Sequence, residues 1–290
     1  RGSAVKYENF SIPPPAAVYG DIAEGGFVWS DDVTILRGYL GGFGLANDAT
    51  SPGTVIDVGA GLCASDDVTG YMALVPFSKT TGPWAAGSGN GGLDTGSIAA
   101  STWYHVFVIQ RTDTGTVDVL LSQSATSPAL PALYGRKRRI GSIRTNTSSQ
   151  ILAFVQNGDE FLWAAPGQDA APAILNGTLG TAPVLVTLTV PTGLKVNALL
   201  RCYWQNAAAG TLYLLSSPDE TPVAGGSLNT SGSQGNISAA ASFANNGEGA
   251  ILTLNVRTNT GAQVRAVSSA AGSSLSIATC GWVDTRGRFS

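Results

Sequence analysis

Charge is what this sequence has least of. Asp, Glu, Lys and Arg make up 12% of its 290 residues, about half the usual share. Long helices draw on Glu, Lys and Arg, so this shortage argues against a helical protein. There is one histidine, His105, and there are three cysteines, Cys63, Cys202 and Cys280. No CxxC pair exists, so neither a zinc site nor any other metal or cofactor is expected. Cys202 and Cys280 lie in apolar strand-like runs and are able to face each other, but buried free thiols are the simpler reading. No apolar run is long enough to span a bilayer, so membrane insertion is not expected. The net charge of −3 lacks the basic excess of a general nucleic-acid binder. No heptad repeat is present, which excludes a coiled coil as the means of oligomerisation. The opening shows no basic segment followed by an apolar one, so no signal peptide is expected. Arg1-Gly2-Ser3 lacks an initiator Met, which suggests a trimmed tag or a processed end.

What is present is the chemistry of strands and turns. Hydrophobic residues reach 43% and Gly accounts for 37 positions. Val, Thr and aromatic residues favour strands, and Gly, Asn, Asp and Ser favour the turns between them. The fold class expected is all-β. The length exceeds what one core usually holds. The expected division is an extended Pro-rich N-terminal arm over 1–30, a β-sandwich domain over 31–163, a linker over 164–182 with room for one edge strand, and a C-terminal β-sandwich domain over 183–290, both sandwiches jelly-roll-like. Ile12-Pro13-Pro14-Pro15 makes the arm an extended tether, or else a terminus packed on the surface.

Several runs carry hairpin signals. Trp103 to Ile109 is dense in aromatic and β-branched residues, as a central strand is. Thr112-Asp113-Thr114-Gly115 turns it and Thr116 to Leu121 returns it. Ile151 to Val155 and Glu160 to Trp163 flank Asn157-Gly158-Asp159, a strong hairpin cue. From Val184 to Val190 the even positions are apolar and the odd ones largely polar, the period of a half-buried strand. Asn259-Thr260-Gly261 is expected to close a hairpin between Ala250–Arg257 and Gln263–Val267. Residues 227–246, rich in Ser, Gly and Asn, read as a long surface loop.

Some of these motifs resemble a family of tail-fibre-like or other structural proteins of tailed phages and prophages. The resemblance is carried by Trp103-Tyr104-His105-Val106-Phe107, Thr116-Val117-Asp118-Val119-Leu120, Lys137-Arg138-Arg139-Ile140-Gly141-Ser142-Ile143-Arg144-Thr145 and Gly158-Asp159-Glu160-Phe161-Leu162-Trp163, in that order. Gly87-Ser88-Gly89-Asn90-Gly91-Gly92-Leu93-Asp94-Thr95-Gly96 stands ahead of them, and Gly281-Trp282-Val283-Asp284-Thr285-Arg286-Gly287-Arg288 ends the chain. It runs from about residue 41 onwards, with gaps. It implies membership of a virion assembled in the host cytoplasm, with other virion proteins as partners. It implies no catalytic residues. A homotrimer is expected by analogy with fibre and decoration proteins.

Three functions follow as expectations: a tail fibre or receptor-binding component contacting host surface glycan, a capsid decoration protein, and a glycan-degrading tailspike-type enzyme, ranked in that order. The chain is therefore expected not to be an enzyme. Arg136, Lys137, Arg138 and Arg139 are the densest charge and form a candidate contact for an acidic partner, or else a set of strand residues paired with carboxylates. Trp84, in Thr80-Thr81-Gly82-Pro83-Trp84, is the best candidate for an exposed aromatic that stacks on sugar or meets a neighbouring subunit. Trp103, Trp163, Trp204 and Trp282 are expected in the core. Asp159 and Glu160 point to opposite strand faces, so alone they do not make a glycosidase pair. His105 reads as a hydrogen-bonded core histidine. The Gly87–Gly92 run lacks the Lys and Ser/Thr of a phosphate loop and reads as a surface turn. Asp31-Asp32, Asp66-Asp67 and Asp219-Glu220 lack calcium-loop spacing.

Overall fold

A computed structural model describes residues 35–167, 171–228, 238–242, 245 and 247–288. The expected arm over 1–30 lies outside the described residues. About half the chain is strand and about 1% is helix, so the fold is all-β with several stacked sheets.

The first half is built around Trp103–Arg111, an antiparallel strand between Val117–Ser122 and Tyr134–Arg144. The sheet has seven strands. Its order runs Tyr134–Arg144, Trp103–Arg111, Val117–Ser122, Gly91–Leu93, Phe77–Pro83, Val55–Val58 and Leu45–Asn47. The short Gly91–Leu93 strand lies parallel to both of its neighbours. It fits because it is glycine: a Cβ on Gly91 would stand 1.9 Å from the Pro83 carbonyl oxygen. Thr80–Pro83, which reads from its sequence as a loop ahead of Trp84, belongs to the strand Phe77–Pro83. Its Thr and Lys residues hide a strand whose Lys79 and Thr81 point inward. A three-stranded sheet, Leu40–Gly42, Gly61–Ala64 and Tyr71–Leu74, packs nearby. Every residue of Trp103–Arg111 except the last is buried, so both faces of this strand are covered.

The second half pairs two sheets face to face. In one, the long C-terminal strand Ser273–Val283 lies beside Asn197–Gln205, which lies beside Gly249–Arg257. In the other, the order is Val184–Thr187, Gln263–Ser268, Leu212–Ser216 and Ser238–Ser242. Trp204 from the first sheet meets Tyr213 from the second, with ring centroids 4.7 Å apart. Along Asn197–Gln205 burial alternates strictly, with Ala198, Leu200, Cys202 and Trp204 inside.

The sheets do not divide where the sequence suggests. The hairpin Phe154–Asn157 and Glu160–Trp163 turns at Gly158, whose φ is +60°. It pairs not with its own half but with Ser273–Val283, placing Phe161 opposite Trp282. Trp282 stacks on Phe161 at 5.1 Å and touches Trp163 and Trp103 at 5.2 and 5.4 Å. These four rings weld the halves into one apolar core. The stretch 164–182 likewise holds a strand, Ala173–Leu179, which takes the rest of the free edge of Ser273–Val283. Two turns also differ from expectation. Asn259-Thr260-Gly261 does not close a hairpin, because Gly249–Arg257 and Gln263–Ser268 belong to different sheets. The 227–246 stretch contains the strand Ser238–Ser242, paired to Leu212–Ser216.

Candidate functional site

The described surface is indented beside Trp84. A shallow groove of about 320 Å³ is lined by Trp84, Leu93, Asp94, Thr95, Leu130 and Pro131, among others. Trp84 is half-buried, and its position is set at two points. Its indole N–H donates to the Val119 carbonyl at 3.2 Å, and its ring meets Tyr134 edge to face at 5.4 Å. Asp94 forms the polar wall. One carboxylate oxygen accepts the Ala129 amide at 3.0 Å and so ties down the loop over 127–131, while the other accepts the Thr95 hydroxyl at 3.3 Å. An aromatic ring beside a carboxylate and a hydroxyl is a surface that packs against an apolar ring and accepts hydrogen bonds from hydroxyls.

The glycine run behind Trp84 is tightly turned. Gly87 and Gly89 have φ of +97° and +79°, angles that suit glycine. Lys79, fully buried, donates to the carbonyls of Ala85 and Gly87 at 2.6 and 3.0 Å and pairs with Asp118 at 2.8 Å. Asp118 accepts the Gly87 and Val119 amides at 2.7 and 2.6 Å. Burial holds the Lys79 pKa below its ordinary value, against the attraction of Asp118.

The basic run is not the exposed patch it promised to be. Arg138 and Arg139 are 3% and 8% exposed, so neither offers a surface contact. The reason lies in their strand. Tyr134–Arg144 is covered by loops on one side and by the C-terminal segment on the other, and each cation clamps one of them. Arg136 is half-buried and donates to the Thr69 hydroxyl and carbonyl and to Gln110. Lys137 pairs with Asp66 at 2.7 Å, and Arg138 reaches the Arg37 carbonyl at 3.2 Å with Asp66 3.6 Å away. Arg139 holds Asp284 through two bonds of 2.6 and 2.8 Å. The carboxylates used are therefore Asp66 and Asp284. Local alternation named neither, because both come from distant segments. A bulge between Arg139 and Gly141 also resets the side-chain order. Gly141 is required there, since a Cβ would stand 2.5 Å from Leu45.

Asp284 is nearly enclosed, and Arg139 holds its pKa below the usual carboxylate range. The segment beyond it folds back on the first half. Arg286 donates to Asp159 and to the Gly42 carbonyl, and Arg288 also pairs with Asp159. His105 sits close by, fully buried, with Nδ1 2.9 Å from the Ser142 hydroxyl. Burial first, then Arg139, lowers its pKa to about 4, so the ring is neutral at pH 7. Its side-chain hydrogen-bond partner, Ser142, is itself 0% exposed.

The remaining candidates are engaged structurally. Asp113 is bound by Arg111 at 2.9 and 2.7 Å, and Asp159 is held by two arginines. Asp67 accepts from Ser65 and Thr69, and Asp219 pairs with Lys195 and Arg257. Asp31-Asp32 lies outside the described residues. Among the described residues no group of three His, Cys, Asp or Glu side chains converges as a metal site would require. Cys63, Cys202 and Cys280 are free thiols, and burial pushes Cys63 and Cys202 up to about 12. No described helix is long and apolar enough to cross a membrane.

No family model matches the chain, and no curated protein matches it. Among solved structures, it is similar at 13% identity to a chain of the crystal structure of the T13 IBDV viral particle. The alignment covers 79% of this chain and 63% of that one, with a TM-score of 0.17.

Proposed function

We propose that this chain is a structural protein of a phage particle, a tail-fibre or receptor-binding component that contacts host surface glycan through the Trp84–Asp94 groove and turns over no substrate. The observation that carries the glycan reading is the pairing of a fixed tryptophan edge with Asp94 and Thr95 in one concavity. A sugar presents an apolar ring face and hydroxyls, and this surface answers both. The virion reading rests on the sequence motifs, and the charge-poor, strand-rich scaffold suits it. Binding of host polysaccharide, followed by tryptophan fluorescence, tests the proposal. Trp84→Ala is expected to weaken binding by about tenfold, the loss of one stacked aromatic. Equal binding by both forms would remove the groove from the account. Immunogold labelling of intact particles tests the location: label at the tail tip supports adhesion, and label over the head replaces it with decoration.

A second reading, capsid decoration, is favoured by the outer face of the C-terminal sheet. Ile174, Ser276, Tyr203 and Ile251 lie in one row across four strands. Ile174, Tyr203 and Ile251 are 65%, 42% and 66% exposed. Such a row suits contact with a neighbouring virion subunit. A reducing-sugar assay on the same polysaccharide tests the non-enzymatic part of the proposal, with no release expected.

A further inference from the structure

We propose that Lys79 and Asp118 close an intramolecular isopeptide bond once the chain has folded. The two residues come from different strands of the seven-stranded sheet, Phe77–Pro83 and Val117–Ser122, with the short Gly91–Leu93 strand between them. Their side chains are 0% and 2% exposed, and Nζ lies 2.8 Å from Asp118 Oδ1. Phe77 and Trp84 flank the nitrogen at 5.6 and 5.3 Å, so the pair sits in a dry, aromatic-lined pocket. A separated charge pair is costly in such a place, and a neutral amide is not.

The hydrogen bonds around the pair are those an acyl transfer needs. An ammonium has three N–H bonds. Two of them point at the carbonyls of Ala85 and Gly87, and the third at Asp118. Transfer of that third proton to Oδ1 leaves a neutral amine and a neutral carboxyl, the forms that burial favours. Burial also lowers the Lys79 pKa. With two N–H bonds held by carbonyls, the lone pair of the amine takes the third direction, toward the Asp118 carboxyl. On the other side Oδ2 accepts the Gly87 amide at 2.7 Å, and Oδ1 accepts the Val119 amide at 2.6 Å. Backbone donors at a carboxyl oxygen stabilise the negative charge that develops when a nucleophile adds.

The step balances without any further reactant. Nζ attacks Cγ and forms the C–N bond, and the carbonyl electron pair moves onto Oδ2, where the Gly87 amide receives it. The intermediate collapses, the C–Oδ1 bond breaks, and Oδ1 leaves as water with the proton it already carried and a second one from nitrogen. The product is a secondary amide whose remaining N–H stays bonded to one of the two loop carbonyls. Fixing both groups within contact distance supplies the proximity that makes such a slow condensation feasible. The bond would lock the first half across its only parallel strand among the described residues and pin the glycine turn behind Trp84.

Mass spectrometry decides this. The full chain is purified folded, then denatured, and its intact mass is measured. The expected mass is lower than that of the sequence by one water, and proteolysis is expected to yield one branched peptide joining the segments around Lys79 and Asp118. Lys79→Ala and Asp118→Ala are expected to restore the unreduced mass. Asp118→Asn is expected to lose ammonia in place of water if the same attack occurs. An unreduced wild-type mass, with the two segments recovered as separate linear peptides, overturns the proposal, as does a water loss mapped elsewhere. Because the wild-type mass alone decides, a variant that fails to fold does not blur the result.

Discussion

The strands Trp103–Arg111 and Asn197–Gln205 are each nine residues long and each lies inside its sheet, yet they are buried differently. The first is covered on both faces. The second shows one face to the core and the other to the outside. Cover on both faces leaves no exit for polar side chains, so the first half carries its charges inside and must pair them: Lys79 with Asp118, Arg139 with Asp284. The open face of the second half lets Arg201 and Gln205 remain exposed beside Tyr203. Both designs place an equal length of chain in a sheet, but only the first buries such ion pairs; those of the second, Lys195 and Arg257 with Asp219, stay partly exposed.

This contrast can be broken most forcefully at a buried charge. Asp284→Ala leaves Arg139 without its partner and is expected to cost about 3–5 kcal/mol, the typical loss when one member of a buried pair is removed. Urea unfolding measures it. Replacing both residues with apolar ones of similar size is expected to recover much of that loss, and failure to recover would assign the pair a positioning role for the C-terminal segment. A matched pair of isoleucines compares the two designs directly. Ile109 is fully buried in the first half and Ile251 is 66% exposed in the second. Ile109→Ala is expected to cost about 2–5 kcal/mol.

His105 sharpens the comparison through pH. Its folded pKa is about 4 against an ordinary 6.5. The unfolded chain therefore binds a proton near pH 6.5 that the folded chain refuses until about pH 4. The contribution of a neutral His105 is complete above pH 6.5 and is lost as pH falls from there to about 4. The expected loss is about 3 kcal/mol. Unfolding measured across that window checks it, and His105→Gln is expected to flatten the slope. The smallest effect belongs to the open face: Ile251→Ala is expected to stay within about 0.5 kcal/mol. A larger loss there would show that the face is covered in the protein as it assembles.

The sequence was most legible where burial is one-sided. Alternation along Val184–Val190 announces a strand, and Asn157-Gly158 announces its turn. The four tryptophans expected in the core are buried, Trp103, Trp163, Trp204 and Trp282 at 8%, 3%, 0% and 1% exposure. Legibility failed where polar residues are paired inside. Arg138 and Arg139 look like surface charge because a strand pattern carries no information about what folds over it. Phe77–Pro83 escaped because its inward residues are Lys79 and Thr81. Asn259-Thr260-Gly261 has the composition of a hairpin turn, but its flanking strands belong to different sheets. The groove was half legible: Trp84 stood out in a loop of small residues, whereas Asp94 and Leu130 meet it only through the fold.

The sequence by itself determined that this protein is built of strands, that Trp103, Trp163, Trp204 and Trp282 pack inside and that the chain turns at Asn157-Gly158. Those properties follow from side-chain chemistry and periodicity, which are local. Only the tertiary structure decided which carboxylate meets which cation. Asp284 lies 145 positions from Arg139, and no local rule spans that distance. It also decided that the hairpin over 154–163 would join the final strand, where Phe161 stacks on Trp282 and both rings are buried.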